Sequence, residues 1–85
     1  IEALESFQKA IDLNPKELFS WANKGSALVA LERFEEALES SQKAIDLNPK
    51  EPFAWLIKGS ALVALERFEE ALESLQKVID LNPKE

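Results

Sequence analysis

Residues 18–51 read LFSWANKGSALVALERFEEALESSQKAIDLNPKE, and residues 52–85 read PFAWLIKGSALVALERFEEALESLQKVIDLNPKE. The two stretches are each 34 residues long and differ at six positions: Leu18/Pro52, Ser20/Ala54, Ala22/Leu56, Asn23/Ile57, Ser41/Leu75 and Ala44/Val78. Trp21, Gly25, Leu28, Phe34, Ala37, Ala44 and Pro49 return as Trp55, Gly59, Leu62, Phe68, Ala71, Val78 and Pro83. The opening residues supply only the back half of this order, with Ala3, Ala10 and Pro15. The chain therefore divides into a half repeat over 1–17 and full repeats over 18–51 and 52–85. A period of this length marks supersecondary units that bury their apolar faces only by stacking on one another.

Periodicity inside the unit is helical. In IEALESFQKAIDL, residues 1–13, the apolar Ala3, Leu4, Phe7, Ala10 and Ile11 make one stripe, with Glu2, Glu5 and Lys9 on the other side. Asn14-Pro15 ends this helix, because a residue before proline is pushed out of the α region, and Asn48-Pro49 and Asn82-Pro83 repeat the signal. Lys16–Leu31 carries the stripe Leu18, Trp21, Gly25 and Leu28, with Glu17 in its first turn, where a negative charge complements the helix dipole. Pro52 sits at the matching start in the second repeat, where a missing N–H costs little. A tight turn around Leu31–Phe34 then leads to a helix over Phe34–Leu47, and residues 52–85 repeat the pair.

The reading is all-α: five helices alternating between two types, A for the first of a pair and B for the second, in the order B-A-B-A-B. A glycine in mid-helix costs about 1 kcal/mol against alanine, so Gly25 and Gly59 need a reason. Close approach supplies it, with Gly25 facing Ala37 and Gly59 facing Ala71 within each pair, and Ala10, Ala44 and Val78 between pairs. One alternative stays open. ALVALERFEEAL, residues 27–38, contains no breaker, and a single fused helix there would permit domain swapping.

Composition narrows the function. A chain of 85 residues is one small domain, which buries roughly 60% of the surface its unfolded form exposes. At 46% hydrophobic and 31% charged it is neither disordered nor transmembrane in character. It has neither an initiator Met nor a signal peptide, and beginning in mid-repeat it reads as a piece of a longer protein. A net charge of −6 argues against nucleic acid and anionic membranes as partners. The absence of cysteine points to a cytoplasmic setting.

Chemistry is scarce. Without His, Cys, Tyr or Met there is no common base, thiol nucleophile or soft metal ligand, and the serines have nothing to activate them. The carboxylates at Glu35, Glu36 and Glu39, and again at Glu69, Glu70 and Glu73, read as solvated helix faces, since a calcium site needs convergent oxygens from irregular backbone. No catalytic residue, metal or cofactor is expected.

The positions Trp21, Gly25, Leu28, Phe34, Ala37, Ala44 and Pro49 resemble the signature of the tetratricopeptide repeat family, and the resemblance runs the length of the chain. It implies a right-handed α-solenoid of stacked antiparallel helix pairs that works as a protein–protein interaction scaffold. The A helices would line a concave face that holds a peptide or helical segment. Carried over residue by residue, that face holds Phe19, Ala22, Asn23, Ser26, Val29 and Ala30, then Phe53, Leu56, Ile57, Ser60, Val63 and Ala64. The residues singled out as peptide-binding are Phe19, Asn23, Ser26, Phe53, Leu56, Ile57 and Ser60.

Some members grip chaperone C-terminal carboxylates with basic residues on these positions. Here Asn23 matches one clamp asparagine, while Phe19, Ala22, Phe53 and Ile57 stand where bases would be expected, so an apolar or amphipathic helical segment fits better. Three features depart from the pattern: Lys24 and Lys58 in place of leucine, Ser41 in place of a large residue, and Glu32 and Glu66 where the turn often has glycine. An alternative function is self-association through uncapped terminal helices, carried by Ala3, Phe7, Leu75, Val78 and Ile79. The expected partner is a protein or peptide, another copy of the chain included.

Overall fold

A computed structural model describes residues 2–82. It contains α1 (Glu2–Leu13), α2 (Leu18–Ala30), α3 (Phe34–Leu47), α4 (Pro52–Ala64) and α5 (Phe68–Leu81). Each helix packs on the next along the chain, and α2 also touches α4. Pro83, expected to close the last helix, lies outside the described residues.

The Asn-Pro corners are built from local bonds. The Lys16 and Lys50 amides donate to the Asn14 and Asn48 side-chain oxygens, at 3.3 and 3.0 Å. Trp21 and Trp55 each donate their indole N–H to the carbonyl of the corner proline, Pro15 or Pro49, at 2.7 Å. The tryptophan thus satisfies its only polar atom and anchors the corner to the helix that follows. Glu17 caps α2 by accepting from the Ser20 amide at 2.8 Å, and Glu51 caps α4 by accepting from the Phe53 amide at 3.2 Å.

The stretch without a breaker does break, at 31–33 and again at 65–67. Glu32 and Glu66 adopt the left-handed conformation, with φ of 61° and 62°. The Glu32 amide donates to the Val29 carbonyl at 2.9 Å and the Arg33 amide to Leu28 at 2.8 Å; Glu66 and Arg67 repeat both bonds. This is the Schellman closure, made here without glycine. The fused helix is therefore corrected. Left-handed backbone costs a side-chain-bearing residue about 1–2 kcal/mol, and burying Leu28 and Ala37 against each other's helices exceeds that. Burial of one leucine alone is worth about 1.5–3 kcal/mol, and Leu28 and Leu62 are fully buried.

Small residues set the spacing as expected at Gly25: a Cβ there would stand 3.6 Å from the Ala37 carbonyl and 3.6 Å from the Ser40 Cβ. It would also meet the Ile57 Cγ2 at 3.2 Å. At Gly59 the nearest atoms belong to Leu75, at 2.7 and 2.9 Å, and to Ser74, at 3.6 Å, in place of the expected Ala71. Leu75 therefore occupies beside Gly59 the room that Ile57 takes beside Gly25. The first repeat leaves that room free because it carries Ser41 where the second carries Leu75. Ser41 is fully buried and donates its hydroxyl to the Leu38 carbonyl at 3.0 Å.

Lys24 and Lys58, the other departures, tie each A helix to the B helix before it. The ammonium of Lys24 donates to the Gln8 side-chain oxygen at 2.6 Å, and that of Lys58 to Gln42 at 2.9 Å. Each lies over the neighbouring indole ring, 5.7 Å from the Trp21 centroid and 5.3 Å from Trp55.

Candidate functional site

An A helix in this array has four sides. Gly25 and Leu28 of α2 pack where α3 and α4 meet, beside Ala37 and, respectively, Ile57 and Ala61, while Ala22 shares a core cluster with Ala54 and Ile57 of α4. Asn23 and Ala27 are half-buried. What remains is a row of Phe19, Ser26 and Ala30, all exposed, with Phe19 at 47%. On α4 the corresponding row is Phe53, half-buried, followed by exposed Ser60 and Ala64. The two rows stand at matching register on α2 and α4 and carry ring edges, two hydroxyls and two methyl groups, with no charged side chain among them.

Glu17 sits at the amino end of this row. Hydrogen bonds from the Ser20 hydroxyl and amide, with a further one from the Phe19 amide, hold its carboxyl below the usual glutamate range. The negative charge is thereby fixed beside Phe19, at the helix end where the dipole favours it.

Two expected groove residues are elsewhere. Ile57 is only 5% exposed and belongs to the core with Ala22, Ala44, Ile45 and Ala54. Ala22 is fully buried. Both are covered because α2 and α4 pack directly together, which a wheel drawn for one helix does not reveal. Leu56 is 45% exposed, yet it stands at the register of buried Ala22, on the side of α4 that another A helix would cover. Val63 stands there too, at the register of Val29. The inner row is thus narrower than the sequence suggested: exposed Phe19, Ser26 and Ser60 with half-buried Phe53, and Asn23 at its margin.

The terminal residues divide similarly. On α1, Ala3 is exposed and Phe7 half-buried. On α5, Leu75 and Val78 are half-buried and Ile79 is exposed. Leu72, not expected, is more exposed still. Alignment with Leu38, which packs on the core, was the available signal for it.

On the B side, a crevice of about 520 Å³ lies between α1, α2 and α3. Its lining includes Lys24, Arg33 and Lys43 against Glu5, Glu36 and Glu39, so its charges balance. Arg33 and Glu36 already pair with each other, and the Arg33 hydrogen bond holds the Glu36 carboxyl below its ordinary range. Among the described residues no group of three His, Cys, Asp or Glu could hold a metal ion, and no helix is long and apolar enough to cross a membrane.

The sequence profile of the tetratricopeptide repeat matches twice, over residues 2–52 and 22–85. The chain belongs to the tetratricopeptide repeat family. Several solved TPR structures superpose on it closely. The TPR2B domain of yeast Sti1 in complex with pHsp70 gives a TM-score of 0.90 at 28% identity, over 93% of this chain and 63% of that one. The first TPR of Spaghetti (RPAP3) bound to the HSP90 peptide SRMEEVD gives 0.95 at 30% identity, over 99% and 67%. The Arabidopsis OM64 TPR domain gives 0.93 at 28%, over 98% and 69%. The chain thus spans about two thirds of these TPR domains. No curated protein matches it. Two of these neighbours were solved with ligands, pHsp70 on the Sti1 domain and the HSP90 peptide on the RPAP3 domain.

Proposed function

We propose that this TPR chain captures an amphipathic helical segment of another protein on the row Phe19, Ser26, Phe53 and Ser60, and performs no catalysis. The observation that carries the reading is the exposed Phe19 ring, at the same register as half-buried Phe53, in a row whose only charged neighbour is Glu17 at its amino end. The peptide held by the RPAP3 domain, SRMEEVD, is acidic toward its end. A chain of net charge −6 with phenylalanines in its inner row suits a different ligand, apolar on one side and basic on its flanks. Burying about 500 Å² of apolar surface would yield roughly 12 kcal/mol gross at about 25 cal/mol/Å². Association costs of about 4–15 kcal/mol leave binding micromolar or weaker.

The test is titration of a labelled basic amphipathic helical peptide and of the acidic SRMEEVD peptide. Phe19→Glu with Phe53→Glu should abolish capture of the basic helix while leaving the circular dichroism unchanged. Capture that survives both substitutions, or preference for the acidic peptide, would refute the assignment.

A further inference from the structure

The crevice between α1, α2 and α3 has a copy. A second one, of about 290 Å³, lies between α3, α4 and α5, and Leu38, Gln42 and Lys58 line it where Leu4, Gln8 and Lys24 line the first. The first has α4 stacked after it and the second has α2 stacked before it, so the opening persists with a neighbour on either side. Every residue that lines the first returns unchanged 34 positions later, and the six differences between the repeats all fall elsewhere. Trp21, Lys24 and Leu28 reach the crevice from the side of α2 opposite Phe19 and Ser26, since about 3.6 residues make a turn.

The floor is apolar, made by Leu4, the Trp21 ring and Leu28, which is 1% exposed. Lys24 is held there by the Gln8 side-chain oxygen at 2.6 Å and by the indole face, which leaves two of its three N–H groups to serve a ligand. Ser40 also lines the crevice and is 3% exposed. Its hydroxyl enters no hydrogen bond among the described residues, in contrast to that of Ser41, which donates to Leu38. No fully buried side-chain oxygen or nitrogen there lacks a partner, so the Ser40 hydroxyl must open into the crevice. Close packing on Gly25 explains a small residue at this position, but Ala37 and Ala44, buried on the same helix, meet that need with a methyl group. The hydroxyl is left without a structural task, and Ser74 repeats it, 2% exposed beside Gly59.

The charges are matched as well. Arg33 and Glu36 pair with each other, and among the described residues the one other ion pair is Arg67 with Glu70. That leaves the ammoniums of Lys24 and Lys43 and the carboxylates of Glu5 and Glu39 around one apolar floor. We propose that each crevice binds a free amino acid with an apolar side chain. The ligand carboxylate takes the Lys24 ammonium and the Ser40 hydroxyl, and the ligand ammonium faces Glu39 and Glu5. Its side chain covers Leu4, Leu28 and the indole. A polypeptide end carries only one of those two charges, and a simple ion lacks the apolar body. The first crevice, at about 520 Å³, lies within the range of about 300–1,000 Å³ usual for small-molecule pockets, and the smaller second one should fill later.

Titration of the intact chain with L-leucine, followed by amide NMR shifts, tests this. Binding should be on the order of millimolar, because so small a ligand has few atoms to contribute, and the first shifts should centre on Trp21, Lys24 and Ser40. 4-Methylpentanoate, which lacks the ammonium, and 3-methylbutylamine, which lacks the carboxylate, should each bind roughly tenfold or more weakly, since each loses charged hydrogen bonds. Ser40→Ala with Ser74→Ala removes only the hydroxyls and should weaken leucine binding by roughly tenfold without lowering Tm. Lys43→Gln with Lys77→Gln, at exposed positions, should weaken it too. The proposal is overturned by an absence of shifts at leucine concentrations on the order of tens of millimolar, or by equal binding of either one-charge analogue. Leucine binding unmoved by loss of the hydroxyls or of the lysine charges overturns it as well. Phe19→Glu with Phe53→Glu, which tests peptide capture, should leave leucine binding unchanged, so the two sites fail separately.

Discussion

Replacing Glu32 and Glu66 by glycine should stabilise the chain. Both residues sit at φ near 61–62°, where a Cβ crowds the following carbonyl. That crowding costs about 1–2 kcal/mol per residue. Glycine removes it but loses more freedom on folding, which returns about 0.5–1 kcal/mol per site. Taking the middle of each range, the net gain is about 0.75 kcal/mol each. The turns are a full repeat apart and share no partners, so the effects should add, to about 1.5 kcal/mol for the pair. For a domain of this size about 1 kcal/mol moves Tm by about 4–8 °C, which gives a rise of roughly 6–12 °C in the double variant.

Thermal melts followed by circular dichroism are the assay, with Glu32→Ala as the decisive control. Alanine removes the carboxylate but keeps the Cβ, so its Tm should stay near that of the parent. If Glu32→Ala stabilises as much as Glu32→Gly, charge is the cause and the backbone argument is refuted. A Tm that does not rise in either glycine variant would refute it as well.

Ser41→Leu should destabilise by about 1–3 kcal/mol in urea unfolding, because the larger side chain would compete with Ile57 for the room beside Gly25; the reverse change at the outer face, Leu75→Ser, should cost about 1 kcal/mol or less. The carboxyls of Glu17 and Glu36 are held below the ordinary 4.5 by hydrogen bonds from Ser20 and Arg33. Their contribution is therefore fully present above that pH and lost as pH falls through their lower folded values. Helicity followed from neutral pH to below 4.5 should decline, and Glu17→Gln should flatten the decline; an unchanged acid limb in that variant would show that the cap does not stabilise α2.

The period, the helix stripes and the Asn-Pro corners were legible because each is a local property: a proline bars the helix wherever the rest of the chain lies. The turn at Glu32 was not legible in the same way. No residue there forbids a helix, and the break is imposed by the packing of α2 on α3. The candidate site shows the same division. Phe19 and Ser26, carried over from the family resemblance, do lie on the exposed row. Ile57 obeys the same spacing yet is buried, because its register position is covered by α2 in the second repeat, whereas Asn23 in the first is only half-buried. Periodicity describes one helix, while burial depends on which neighbour stacks against it.

The alternation between roomy and filled junctions also governs how such an array could lengthen. Placing a duplicate of the second repeat after itself would bring Leu56, Leu75 and Val78 up against a new isoleucine, adding several methyl groups to a layer already close-packed. Placing a duplicate of the first after itself would oppose Ala22 and Ser41 to another serine and asparagine, leaving that layer hollow. The two units are therefore not interchangeable beads. Growth by copying one unit at a time is penalised in either case, and the growth step that keeps every layer filled is the pair.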